Sequence, residues 1–114
     1  MKIVDRKTFL AMPTNTLFLK YRPAVFGPLG IKCGSIEASG DFWSQQITGE
    51  VGGSDIFSIL DDAAENGSSF RFDLDCASRD GEFDDDQLFA VYEPSDVAKL
   101  IACLRRCLPE GEPK

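Results

Sequence analysis

The sequence predicts an α+β fold: a mostly antiparallel sheet of about five strands with about three helices packed on it. Three observations carry this. Phe70, Phe72 and Leu74 alternate strictly with Arg71, Asp73 and Asp75, which gives a strand one apolar and one polar face. Val97, Leu100, Ile101, Leu104 and Leu108 recur at helical spacing. The segments between such runs are short and rich in Gly, Pro, Asn and Asp, which favours hairpins over parallel crossovers. A chain of 114 residues supports one modest core, so residues 1–114 are read as a single globular domain.

From the N-terminus, Val4 and Phe9 fit a hydrophobic staple around an N-cap at Asp5, and a helix is expected over Arg6–Ala11, ended by Met12-Pro13. Thr16–Arg22 reads as a strand, with Leu17, Leu19 and Tyr21 facing one way and Phe18, Lys20 and Arg22 the other. Pro23 stops it. Ala24–Gly30, with Gly27-Pro28, reads as a hairpin connection. Leu29–Glu37 and Phe42–Thr48 are the next strands, joined by a turn over Ala38–Asp41. Ser54 is placed as the cap of a second helix over Asp55–Glu65. Ile56, Ile59, Leu60, Ala63 and Ala64 line one side of it, and Asn66-Gly67 stops it. Strands follow at Phe70–Leu74 and Leu88–Tyr92. Ser95 is placed as the cap of a third helix over Asp96–Cys107, ended by Pro109 and Gly111.

An apolar fraction of 43% with nine Phe argues for a folded chain. The net charge of −7 is unevenly spread: +5 within residues 1–32 and −12 within residues 33–114. Such a surface repels phosphates, so direct nucleic-acid binding is not expected and a basic protein partner is. No stretch is long enough to span a membrane, and MKIVDRKTFLAMP lacks a signal-peptide core. A cytoplasmic protein is the expectation.

Five carboxylates fall within Asp80–Asp86, and Asp73 and Asp75 share a face of the preceding strand. The loop reads as a solvated, solubilising segment, as an acidic binding surface, or as a hard-cation site. The calcium-loop pattern fails: from Asp73 the required glycine is Ser78, and from Asp80 it is Asp85. Cys33, Cys76, Cys103 and Cys107 show no metal spacing and read as small apolar residues. The chain has no histidine, which removes Ser-His-Asp and Cys-His catalysis. No catalytic residue, metal ligand or cofactor is assigned. A carboxylate- or metal-dependent enzyme is the least favoured expectation.

The DRKTFLAMP opening and the FDDDQLFAVYE segment, in a short acidic single domain without a catalytic signature, resemble small acidic accessory proteins of phages and prophages. The resemblance implies a protein that acts by binding. Such proteins block a host or defence enzyme or sequester a small signalling molecule.

Two functional readings follow. In the first the chain is an interaction protein, an inhibitor, that presents Asp73, Asp75, Asp80, Glu82, Asp84, Asp85 and Asp86 to a basic partner, with Trp43 as a binding hot spot if exposed. In the second it binds an anionic, nucleotide-like ligand through Lys20, Arg22, Lys32 and Phe26, as a homo-oligomer with its pocket at a subunit boundary.

Overall fold

The structure, a computed structural model, describes residues 1–36, 38–47, 55–71, 74 and 77–111. Its elements in chain order are β1 (Lys2–Val4), α1 (Arg6–Ala11), β2 (Leu17–Arg22), β3 (Val25–Ile36), β4 (Asp41–Gln46), α2 (Ile56–Asn66), β5 (Ala77–Arg79), β6 (Leu88–Val91) and α3 (Pro94–Arg105). The fold is α+β, and the six strands form one sheet in the order β1-β6-β2-β3-β4-β5. Every neighbouring pair is antiparallel. Both edge strands are three residues long, which leaves little free backbone for another strand to join.

The core is an aromatic cluster on one face of the sheet. Phe9 of α1 stacks on Phe89 at 4.1 Å between centroids and lies 4.8 and 5.1 Å from Phe18 and Phe42. Val91 completes the buried set, with Val4, Leu10 and Met12 around it. Alternation fixes which residues do this: Phe18 turns inward, while Leu17, Leu19 and Tyr21 project from the opposite face. Leu19 there lines an open groove with Tyr92 and with Leu100 of α3. The helices α1 and α3 therefore lie on opposite faces of the sheet.

A six-residue helix is marginal in water, and α1 is held at both ends. Asp5 accepts from the Thr8 N–H at 2.8 Å. At the other end the buried Lys32 ammonium donates to the carbonyls of Phe9 and Leu10, each at 3.0 Å, and to that of Met12. A cation among the last carbonyls satisfies groups the helix leaves open and opposes its dipole. Lys32 also sits 5.3 Å from the Phe9 ring centroid.

Several boundaries differ from those read in the sequence. β1 was not expected, because three residues carry no periodicity. The β2–β3 turn is only Pro23-Ala24, with Arg22 opposite Val25 and Ala24 at φ 63°. Gly27-Pro28 falls inside β3, where the register shifts between Leu19 and Tyr21. A bulge leaves one residue out of the ladder and so tolerates a proline. Of the strand expected over Phe70–Leu74, the described residues Phe70, Arg71 and Leu74 are not in a strand. Ser68–Arg71 has no regular structure, Leu74 lies in a bend, and residues 72, 73, 75 and 76 are outside the described set. The strand that forms is β5, which places Arg79 opposite Trp43. α3 starts at Pro94 rather than Asp96. Proline suits the first helical position, and the Asp96 carboxylate reaches back to the Glu93 N–H at 2.9 Å.

Candidate interaction surface

The acidic loop folds back on the basic N-terminal third. Lys20 and Arg22, alternate residues of β2, meet it directly. Lys20 Nζ lies 2.5 Å from Asp80 and 2.8 Å from Glu82, and Arg22 lies 3.7 Å from Asp84. Arg6 of α1, only 5% exposed, adds a second cation to Asp80 at 3.4 Å and donates to the Gly40 carbonyl at 2.9 Å. Gln87 pins the end of the loop by donating to the carbonyls of Tyr21 and Leu88. Burial works against the Lys20 charge, but its two carboxylate partners prevail and raise its pKa above the usual lysine value.

Part of the loop's negative charge is thus balanced by Arg6, Lys20 and Arg22 of the N-terminal third. Of the acids expected to face a partner, Asp80 has its side chain 4% exposed and serves as an internal counter-ion. Glu82 and Asp84 are paired at the surface, while Asp85 and Asp86 are exposed. Asp73 and Asp75 lie outside the described residues. Trp43 is 40% exposed.

The four residues of the anionic-ligand reading do not converge. Lys32 is buried against α1, Arg22 is on Asp84, and Phe26 is 59% exposed against Tyr21 on the groove side. Only Lys20 reaches a cleft, of about 280 Å³, that also takes in Ser44, Gln46, Ser78, Arg79 and Glu82. Its charges are balanced. The Gln46 Oε1 atom is buried without a hydrogen-bond partner among the described residues.

Sequence reasoning missed Asp41, which it placed in a turn. Its fully buried carboxylate accepts from the N–H groups of Phe42 at 2.8 Å and Gly81 at 3.0 Å, and from Arg79 at 3.0 Å. Burial alone would raise its pKa, but these donors outweigh it and hold it below the ordinary carboxylate value. The available signal was Arg79, a lone cation between acid-rich segments that needs a carboxylate partner.

The helices α2 and α3 contain no buried residue. On α2, Phe57 is 80% exposed, and Ile59 and Leu60 are 38% and 37% exposed. Asp61 follows Phe57 by one turn on the same side, with Glu65 one turn further, and Asp62 is turned away from it. On and just after α3, Ile101, Leu104 and Leu108 are 43%, 58% and 41% exposed. Among the described residues no three Cys, Asp or Glu side chains converge as metal ligands would, and no helix is long and apolar enough to cross a membrane. No family model, curated protein or solved structure matches this chain.

Proposed function

We propose that the protein is an interaction protein that docks α2 into an apolar groove with a basic rim on a partner protein. The observation that carries this is α2 itself: an eleven-residue helix with no buried residue and Phe57 80% exposed. So short a helix gains little stability alone and needs its apolar stripe covered. Laying that stripe into a groove is a recurrent mode of recognition. Asp61 and Glu65, which follow Phe57 at one-turn intervals, steer the approach toward a positive rim. Net charge favours the same partner, because only Asp80 of the loop acids is spent inside the molecule and α2 adds Asp61, Asp62 and Glu65 to the exposed ones. In the setting implied by the resemblance to phage accessory proteins, the partner is a host or defence protein and binding inhibits it.

The test is affinity capture with three baits: wild type, Phe57→Asp with Leu60→Asp, and Asp61→Asn with Asp62→Asn and Glu65→Gln. The apolar double variant should capture nothing that the wild type captures specifically. The charge variant should retain the partner but bind it more slowly, with a weaker dependence on salt. Identical captures from all three baits would sink the proposal.

A second reading is favoured by the orphaned Gln46 acceptor in the cleft beside Lys20 and Glu82. Because the cleft is charge-balanced, it suits a small neutral molecule with an N–H or O–H donor better than a nucleotide. Thermal stabilisation by small amides or nucleosides, lost in Gln46→Leu, would support it. Stabilisation by nucleotides alone would not.

A further inference from the structure

We propose that Cys103 and Cys107 form a two-sulfur site for a soft monovalent cation, Cu(I), at the end of α3. Free cysteine is among the residue types most often buried, so an unburied thiol is accounted for by its chemistry rather than by packing. Here both thiols are free and exposed, against the small apolar role expected from the sequence. They follow one another by one turn. The Cys107 N–H donates to the Leu104 carbonyl at 2.9 Å, which carries the turn past Arg105. The Cys107 thiol points back along that turn and donates to the Cys103 carbonyl at 3.9 Å. The Cys103 sulfur accepts from the Arg106 guanidinium at 3.3 Å. Two sulfurs and a guanidinium therefore meet at one exposed helix end, away from both α2 and the Gln46 cleft.

Spacing separates a metal site from a disulfide. Side chains one turn apart on a helix stand about 5–6 Å apart at Cβ, whereas a disulfide needs about 3.5–4.5 Å. Two metal–sulfur bonds in line, each about 2.3 Å, put the sulfurs about 4.6 Å apart, which such a turn spans while it stays wound. The number of donors then selects the ion. Structural zinc takes four ligands, and an iron–sulfur cluster takes four cysteines. The chain has no histidine, and among the described residues no third Cys, Asp or Glu joins this pair. Cu(I) is soft, favours thiolate sulfur and is satisfied by two donors in line. Binding releases both thiol protons and transfers no electron, so the complex carries a single negative charge. Arg106, already on Cys103, is placed to offset it, as is Arg105 in the last turn.

The experiment titrates the reduced full chain with Cu(I) under nitrogen, in competition with a chromogenic Cu(I) chelator. Circular dichroism and sedimentation velocity are followed alongside. Wild type should hold one ion per chain, with no gain in the mass of the sedimenting species. Cys33→Ser with Cys76→Ser should hold it equally well, which sets the other two thiols of the chain aside. Cys103→Ser and Cys107→Ser, each changing only an exposed side chain, should each surrender the ion to the chelator while the circular dichroism stays that of the wild type. Arg106→Gln keeps both sulfurs and should weaken retention about tenfold, as loss of a partner to a metal ligand does. A wild type that yields all its Cu(I) to the chelator overturns the inference. So does retention that survives both cysteine variants, or one ion shared between two chains.

Discussion

On the face that carries Phe18, Phe42 and Phe89, a helix of six residues excludes water completely. On the face that carries Leu17, Leu19 and Tyr21, a helix of twelve residues leaves its own Leu104 58% exposed. Helix length does not explain the difference; anchoring does. α1 is held by Asp5 at its start, by Lys32 and Ser35 at its end, and by Arg6 reaching to Asp80 and Gly40. Each tie ends on the sheet or on a loop joined to it, so Phe9 is driven into the cluster. α3 is tied at its first turn, where the N-terminal ammonium meets Glu93 and Asp96. Its remaining turns lie beside the sheet without burying a residue. The closed face is covered by its helix, and the open face is only partly covered by α3.

The largest effect expected from this comparison is that of Phe9→Ala. Phe9 touches every other ring of the cluster, and its loss should lower the unfolding free energy by about 3–5 kcal/mol in denaturant titration. A loss below about 1 kcal/mol would mean that the cluster is not what holds α1 to the sheet. Lys32→Met comes next. It keeps the straight side chain but removes the donor shared by the carbonyls of Phe9, Leu10 and Met12. Ser35 still donates to Leu10, so the expected cost is about 1–3 kcal/mol. The helical circular dichroism should fall with it if the lysine caps α1.

The same anchoring explains how far the sequence alone could go. Arg6–Ala11 with its Asp5 cap was readable because staple, cap and proline stop are all local. The alternation of β2 likewise assigned Phe18 and Leu17 to opposite faces correctly. Lys32 was misjudged as a ligand-gripping cation because a buried lysine with carbonyl acceptors looks like an exposed one in sequence. Asp80 had the same fate: its partners Arg6 and Lys20 lie far away along the chain, and only the β2–β6 pairing brings the loop to them. The apolar stripe of α3 was recognised, but a stripe does not say whether its own sheet or another molecule covers it.

Acid should act next in size, and on the closed side first. Asp41 is held below its ordinary pKa by Gly81, Phe42 and Arg79 acting against burial. A carboxylate of this kind adds stability above its unfolded pKa of about 3.9 and loses it as pH falls through the lower folded value. Wild-type stability should therefore change little through this group at neutral pH and drop below about pH 4. Asp5 and Asp96, also held low by hydrogen bonds, add to that drop. The readout is therefore the difference between wild type and Asp41→Asn, about 1–2 kcal/mol at neutral pH and vanishing in acid. A difference that persists at pH 2 would assign the Asp41 contribution to shape rather than charge.

The smallest effect should come from the residue next door. Phe42 and Trp43 are consecutive in β4 and point to opposite faces, one 1% and the other 40% exposed. Trp43→Ala should cost less than about 1 kcal/mol at low micromolar concentration, in the range of ordinary surface substitutions. Phe42→Ala should cost several times more. As the sole tryptophan, Trp43 also reports directly on its face through quenching by acrylamide. If its accessibility and the cost of Trp43→Ala stay constant as the protein is concentrated, the side of β4 that carries Trp43 takes no part in self-association. If quenching falls and the cost rises together, a second copy covers that side of β4. The stability lost is then that of association rather than of the single chain.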